Sequence, residues 1–352
     1  MSPHRGIVQT NNGKKTGGAT IQDVARESGL SVGTVSRYLN GYKLRSANSI
    51  RIAQAIEQLD YRENFIAKGM KTRRTYTIGI AVSAHDDFQV QVIRTLERRL
   101  YANGYTLVIC DFEDDLKTLE SKLNFFLNRY VDGLVVIPIP RSASSFAPYR
   151  ERKIPVVFYD AVISGFNTDS VSCDHHNGSR QGVEHLLSMG HRRIGYLGGP
   201  AKQHSSASER KKGYELAMRA ANIPETPELI LDGTWDKDSG YANATKLLTS
   251  ANPPTALLAA NYRIGIGALL AIKKLGLRIP EDVSVVSFDD VDAFEIYQPG
   301  ITCIKQPVMQ IADVIADLMI ERLGGKPVDR YQHISLPTEL IIRESVRNLL
   351  EA

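Results

Sequence analysis

The chain has 352 residues, with 43 Lys+Arg against 39 Asp+Glu and 43% hydrophobic residues. That length provides for roughly two or three domains and a large buried core, and no apolar run is long enough for a membrane span. Three widely spaced cysteines, Cys110, Cys173 and Cys303, exclude a disulfide framework and a paired-cysteine metal site, so a reducing, cytoplasmic location is expected.

Residues 1–18 are polar and glycine-rich with no apolar h-region, and read as a disordered basic lead-in rather than a secretory signal. Through Thr75 there are 13 Lys+Arg against 5 Asp+Glu, and beyond it 30 against 34. A basic head on a mildly acidic body points to an anionic partner for the head, most often nucleic acid.

Thr20 to Asn40 reads TIQDVARESGLSVGTVSRYLN, which predicts two short helices joined by a tight turn. Thr20 is placed to cap the first helix, and Ile21, Val24, Ala25 and Ser28 share one face of it. Gly29 falls where the chain must reverse, a position that favours positive φ. Ser31 is placed to cap the second helix. Val32, Val35 and Leu39 form its expected inward stripe, leaving Gly33, Thr34, Ser36 and Arg37 outward. Small hydroxyl residues and one Arg suit a helix lying in a DNA major groove, where short donors reach phosphates and Arg can fork onto guanine. The alternative is an ordinary helical hairpin with a solvated face.

A third helix is expected over Ser46 to Leu59, closing a small core with the first two. Tyr61 to Thr75 is basic and turn-prone. From Thr77 strands and helices alternate. Strands are expected at 77–82, 105–110, 133–138, 155–160, 193–199, 255–260 and 283–288. Helices are expected at about 88–102, 115–129, 177–189, 208–221, 239–250, 263–275 and 307–322. Most of the strands are continuous apolar runs, as parallel strands covered on both faces require. The pattern is that of a doubly wound α/β fold. Its length favours two lobes with a ligand crevice at the strand carboxyl ends.

Taken in order, TIQDVARESGLSVGTVSRYLNG, TIGIAV, VDGLVV, GHRRIGYLGGP, SERKKGY, PTALLAAN, GLRIPEDVSVVSFDD, TCIKQP and LPTELIIRES closely resemble the lactose-repressor (LacI/GalR) family of bacterial transcription regulators. The resemblance runs from about Ala19 to Ser345. It implies a small all-α helix-turn-helix head and an α/β two-lobed, periplasmic-binding-protein-like effector domain with doubly wound parallel sheets. The expected divisions are the lead-in (1–18), the head (19–62), a hinge helix or linker (63–75) and an effector-binding and dimerisation domain (76–352). The N-lobe of that domain takes about 76–173 and 306–334, and the C-lobe about 174–305 and 335–348.

By the same resemblance, Val32, Gly33 and Arg37 stand at base-reading positions. Thr20, Thr34 and Ser36 are expected phosphate anchors, with Ser31 at the start of the reading helix. In the hinge, Asn64, Ala67, Lys68 and Met70 are expected at the minor groove, with Met70 where the family usually has a Leu wedge. Glu63 replaces the usual Pro, and Gly69 costs about 1 kcal/mol of helix propensity, so the hinge is atypical. The expected effector site comprises Ser83, Asp86, Phe88, Asp160, Arg210, Trp235, Asn261 and Asp289. Carboxylates and Arg pair with vicinal hydroxyls, and an aromatic face stacks on a sugar ring. Two departures change the pocket's polarity: Tyr262 stands where the family often has Asp, and Ala161 where Arg is frequent. His85, His175 and Arg141 could add positive character.

The expected partners are therefore double-stranded DNA with a palindromic operator, a small-molecule effector of carbohydrate type, and a second copy of the chain. The alternative effector is a nucleobase or nucleoside. A solute-binding protein without DNA binding and an α/β enzyme are the rival classes. No cofactor and no metal are expected: Cys173-Asp174-His175-His176 lacks a second ligand pair, Gly265-Ile266-Gly267 lies in a helical pattern, and no nucleophile elbow is present. Only seven residues follow Ser345, too few for a tetramerising heptad helix, so a dimer is expected.

Overall fold

The computed structural model describes residues 19–39, 41–62, 74–82, 87–139, 142–202, 204–224, 226–325 and 330–350. The chain forms two compact units, Met1–Arg74 and Thr75–Ala352.

In the first unit, α1 (Ile21–Ser28) opens on a capping box. The Thr20 hydroxyl accepts from the Asp23 N–H at 3.3 Å, and the Asp23 carboxylate accepts from the Thr20 N–H at 2.9 Å. Two orphan donors are satisfied at once. Gly29 ends the helix at φ 64°, its N–H donating back to the last turn. A side chain there would also strike the Arg51 guanidinium, 2.5 Å from an ideal Cβ. Ser31 accepts from the Thr34 N–H at 3.2 Å and so caps α2 (Val32–Leu39). The third helix, α3 (Ser46–Gln58), completes the unit. Its core is small: Val24, Ala25, Val35, Ile52 and Ala55 are buried, with Ile21, Leu30, Leu39 and Leu44 packed around them. Val32 departs from the expected inward stripe. It is 43% exposed, because Val35 and Leu39 already fill the space facing α1 and α3.

The second unit has two six-stranded sheets. In the first, β1 (Thr77–Val82), β2 (Thr106–Asp111), β3 (Gly133–Val136), β4 (Val156–Tyr159), β5 (Asp169–Cys173) and β11 (His333–Leu336) lie in the order β11-β5-β4-β3-β1-β2. In the second, β6 (Ile194–Gly198), β7 (Ile230–Asp232), β8 (Ala256–Ala259), β9 (Ser284–Phe288), β10 (Thr302–Lys305) and β12 (Glu339–Ile341) lie in the order β12-β10-β9-β8-β6-β7. The two orders match position by position. All pairings are parallel except β12 with β10, so the expected all-parallel second sheet carries one antiparallel edge strand.

The helices in chain order are α4 (Asp87–Ala102), α5 (Leu116–Asn128), α6 (Ala147–Glu151), α7 (His175–Ser188), α8 (Ser205–Ala220), α9 (Lys237–Leu248), α10 (Tyr262–Lys274), α11 (Asp292–Ile296) and α12 (Val308–Leu323). The chain crosses between sheets after β5, after β10 and after β11. The third crossing thus follows Leu336, two residues later than the expected lobe boundary. Helix α12 packs on α4, β3, β4 and β5 of the first sheet, whereas α7 packs on β9, β10 and β12 of the second. Gly265 and Gly267 lie inside α10. An ideal Cβ on Gly267 would sit 2.1 Å from the Lys237 carbonyl oxygen, so α9 and α10 approach backbone to backbone. Among the described residues no helix is long and apolar enough to cross a membrane.

Candidate functional site

On the head, Gly33 and Arg37 are exposed alongside Val32, and Ser31 is exposed at the helix start. Thr34 and Ser36 are half-buried. The Thr34 hydroxyl lies 2.9 Å from that of Ser31, so both belong to the cap. The Arg37 guanidinium has no ion-pair partner among the described residues, which leaves its fork free for an outside acceptor. Asn64, Ala67, Lys68 and Met70 of the expected hinge lie outside the described residues.

In the second unit one cavity of about 330 Å³ brings together Phe88, Asp160, Arg210, Trp235, Asn261 and Asp289. These are six of the eight residues expected at the effector site. Ser83 and Asp86, together with His85 and Arg141, lie outside the described residues. The cavity sits at the carboxyl ends of the strands, where open α/β sheets place ligands. Asp160 follows β4 at φ 60°, and Asp289 follows β9 at φ 70°. Each donates its N–H across to the neighbouring strand at 2.9 Å, Asp160 to Val171 and Asp289 to Ile304. The two carboxylates thus occupy equivalent positions in the two lobes, and Asp tolerates this left-handed backbone better than most side chains do.

Arg210 comes from α8 and is 4% exposed. Its Nε donates to His175 Nδ1 at 3.2 Å, and its Nη1 donates to the Ala260 carbonyl at 2.5 Å. The guanidinium carbon lies 3.8 Å from the centre of the Phe288 ring and 5.6 Å from that of Trp235. His175 Nε2 lies 2.7 Å from Asp160 Oδ1. Burial alone would raise the Asp160 pKa, but the hydrogen bond from His175 and the Arg210 charge outweigh it, and the net shift is downward. Asp289 accepts from Gln306 Nε2 at 2.5 Å and from the Tyr262 N–H at 3.2 Å. Asn261 caps α10 by accepting from the Ile264 N–H at 2.8 Å, and its Nδ2 donates to the Trp235 carbonyl at 3.2 Å.

Sequence reasoning names His175 only as a source of positive character and misses Cys173 and Gln306 beside it. Cys173 ends β5, lies 3.2 Å from His175 Nδ1 and donates to Gln306 Oε1 at 3.0 Å. Burial pushes its thiol well above the ordinary range, which keeps it a neutral donor. The CDHH run that resembles a metal motif therefore divides its work: Cys173 and His175 buttress the pocket, and Asp174 caps α7. At the mouth, His204 Nε2 lies 3.6 Å from Asp114 Oδ1, joining residues of opposite lobes. The signal for these residues was positional, since each follows a strand's carboxyl end or borders a crossing.

The family model for bacterial regulatory proteins of the lacI family matches residues 20–64, and a periplasmic binding protein-like domain matches residues 183–346. The chain is 31% identical over 337 residues to a Haemophilus influenzae protein named HTH-type transcriptional repressor PurR, covering 94% of this chain and 100% of that one. It is 29% identical to the PurR of Pasteurella multocida, with the same coverage. Among solved structures, the lac repressor dimer bound to operator and the anti-inducer ONPF superposes with a TM-score of 0.82 at 28% identity, over 94% of this chain and 100% of that one. A complex of the transcriptional regulator CelR with cellobiose gives a TM-score of 0.70 at 28% identity, over 93% and 99% of the respective chains.

Proposed function

The chain belongs to the LacI family of bacterial regulatory proteins, and from that premise we propose that it is a homodimeric DNA-binding repressor whose grip on a palindromic operator is set by a sugar or sugar derivative held between its two lobes. Each head docks α2 in a major groove. Arg37 reads a base, Val32 offers apolar contact, and the capped starts of α1 and α2 present N–H groups to phosphates. Residues 63–75 act as the hinge. The ligand shifts the balance between lobe arrangements, and only one arrangement lets both heads of a dimer meet their half-sites.

The carrying observation is the pair of matched carboxylates, Asp160 and Asp289, lining the same cavity from opposite lobes beside Arg210 and Asn261. A polyol donates hydroxyls to carboxylates on both sides and accepts from Arg and amide N–H groups, so binding couples the lobes. The similarity to a cellobiose-bound regulator supports this class. One observation favours a nucleobase or nucleoside instead: Phe88 and Trp235 place an aromatic side chain on each lobe of the cavity, and a flat base could stack on either.

The deciding experiment selects genomic DNA fragments with the full-length protein, adding sugars, sugar acids, sugar phosphates and nucleosides in turn. A palindromic site released or gained with one sugar supports the proposal. A response to nucleosides alone moves the ligand to the second class. For the head, Arg37→Ala should cost about 1–3 kcal/mol of specific operator binding while sparing non-specific binding. A gel-shift titration that finds operator affinity unchanged removes Arg37 from the reading surface.

A further inference from the structure

We propose that the first lobe holds a second binding site, distinct from the interlobe pocket, for a small organic monophosphate with a flat ring. A cavity of about 410 Å³ opens beside the amino-terminal ends of β4 and β5, within the ~300–1,000 Å³ range of small-molecule sites. The interlobe pocket lies past the carboxyl end of the same strand, where Asp160 follows Tyr159. Four residues of strand separate them, roughly 13 Å at the usual rise.

The cavity is built, not merely open. Phe166 forms part of its wall, is 7% exposed, and is fixed by rings of Phe146 and Phe158 at 5.4 and 5.9 Å. Arg322 and Asp169 form another part, with side chains 8% and 1% exposed. Arg322 Nε and Nη2 donate to the two Asp169 oxygens at 2.7 and 2.8 Å, and the Gln332 N–H adds a third bond to that carboxylate. Asp169 is therefore neutralised within the wall. What remains is the rim. Arg150 stands with its guanidinium carbon 6.0 Å from the centre of the Phe166 ring. Lys153 is brought beside it by the turn that closes α6, where the Lys153 N–H donates to the Arg150 carbonyl at 3.1 Å.

Both rim cations are exposed, and neither has an ion-pair partner among the described residues. Arg150 and Lys153 thus bring two cations without an ion-pair partner among the described residues to one cavity. Two positive charges at one rim match a dianion, which selects a phosphate monoester over a carboxylate. The Phe166 wall and the half-exposed Tyr331 select a flat apolar body.

Phenyl phosphate titrated into the full-length protein by calorimetry tests this. The expected result is saturable binding that weakens about tenfold or more in the double variant R150Q/K153Q. Both positions are exposed, so the fold should persist, and an unchanged melting temperature checks that. Trp235, the only tryptophan, lines the interlobe pocket, so its emission should not move, and Asp289→Asn should leave the titration unchanged. Absence of binding to the wild-type protein overturns the proposal. So does undiminished binding in R150Q/K153Q, equal affinity for inorganic phosphate, or a titration that shifts Trp235 emission and is lost in Asp289→Asn.

Discussion

Arg210→Ala is expected to lower the unfolding free energy by about 3–5 kcal/mol, the range for removing one partner of a buried charged network, and to abolish the response of operator binding to effector. The Ala260 carbonyl and the face of Phe288 lose the guanidinium together, and His175 Nδ1 keeps only the Cys173 thiol. Asp160 loses part of the positive surroundings that depress its pKa. The sign follows from that depression. A carboxyl held below its ordinary value adds stability above pH ~4, and the increment disappears as pH falls through the depressed value. In Arg210→Ala the increment shrinks, so the gap between the urea midpoints of variant and parent should narrow as the pH falls through the depressed value, leaving the loss of the Ala260 and Phe288 contacts. Arg210→Lys separates charge from geometry. An ammonium keeps the charge but cannot bond both His175 and Ala260 while lying flat on Phe288, so its stability should fall between the two and its effector response should stay impaired. Equal urea midpoints for Arg210→Ala and the parent at pH 7 would sink the argument.

The matched order of the two sheets explains why the pocket takes this form. Each lobe contributes the end of its fourth strand in topological position, β4 or β9, and each end carries an Asp with positive φ. The lobes differ in what braces those carboxylates. Asp160 is held by His175, the first residue of the helix after the first crossing, and Asp289 is held by Gln306, which lies in the second crossing. Cys173 touches both braces. A ligand that pulls on either carboxylate therefore acts on the segments that join the lobes, and this is a physical route from occupancy to lobe geometry.

Most of the scaffold was legible because its signals are local. Continuous apolar runs such as TIGIAV and VSVVSF are strands within a residue of their expected limits. The Thr20 cap and the Gly29 reversal needed only nearest-neighbour chemistry. The elements that escaped have no such signal. β5 (DSVSC) begins with an Asp whose charge is offset by Arg322, 153 residues away. β7, β11 and β12 are short strands at or near sheet edges with mixed burial. Helical spacing places Val32 inward, but an eight-residue helix packed on two neighbours buries a narrower stripe than that spacing assumes. At the pocket, the resemblance to the lactose-repressor family named the six side chains that share one cavity, and Arg210 and Phe88 among them come from helices rather than strand ends. His175 is named by the sequence only as a source of positive character, and its arrangement with Cys173 and Gln306 exists only once two crossings are folded side by side.

The distant pairing of Asp169 with Arg322 gives the other large expected effect. Asp169→Ala should destabilise the protein by about 3–5 kcal/mol, because it leaves a guanidinium in a side chain only 8% exposed without its anion and the Gln332 N–H without its acceptor. The pair stitches the carboxyl end of α12 to the start of β5 and the lead-in to β11, so the loss should appear as weakened protection of β5 and β11 in hydrogen exchange before that of β1. The distinction between a needed charge and a needed shape comes from a second variant. Replacing both members with apolar residues, Asp169→Leu with Arg322→Met, removes the stranded charge as well as the bridge, and buried pairs exchanged in this way are often nearly neutral. The double variant should therefore recover most of what Asp169→Ala loses, less the cost of the unpaired Gln332 N–H, about 1–3 kcal/mol. If the double variant is as unstable as the sum of two independent losses, the bridge itself holds the edge of the first lobe. If Asp169→Ala alone leaves the urea midpoint where it was, Arg322 does not depend on its anion, and the buried pair does not hold this edge of the lobe.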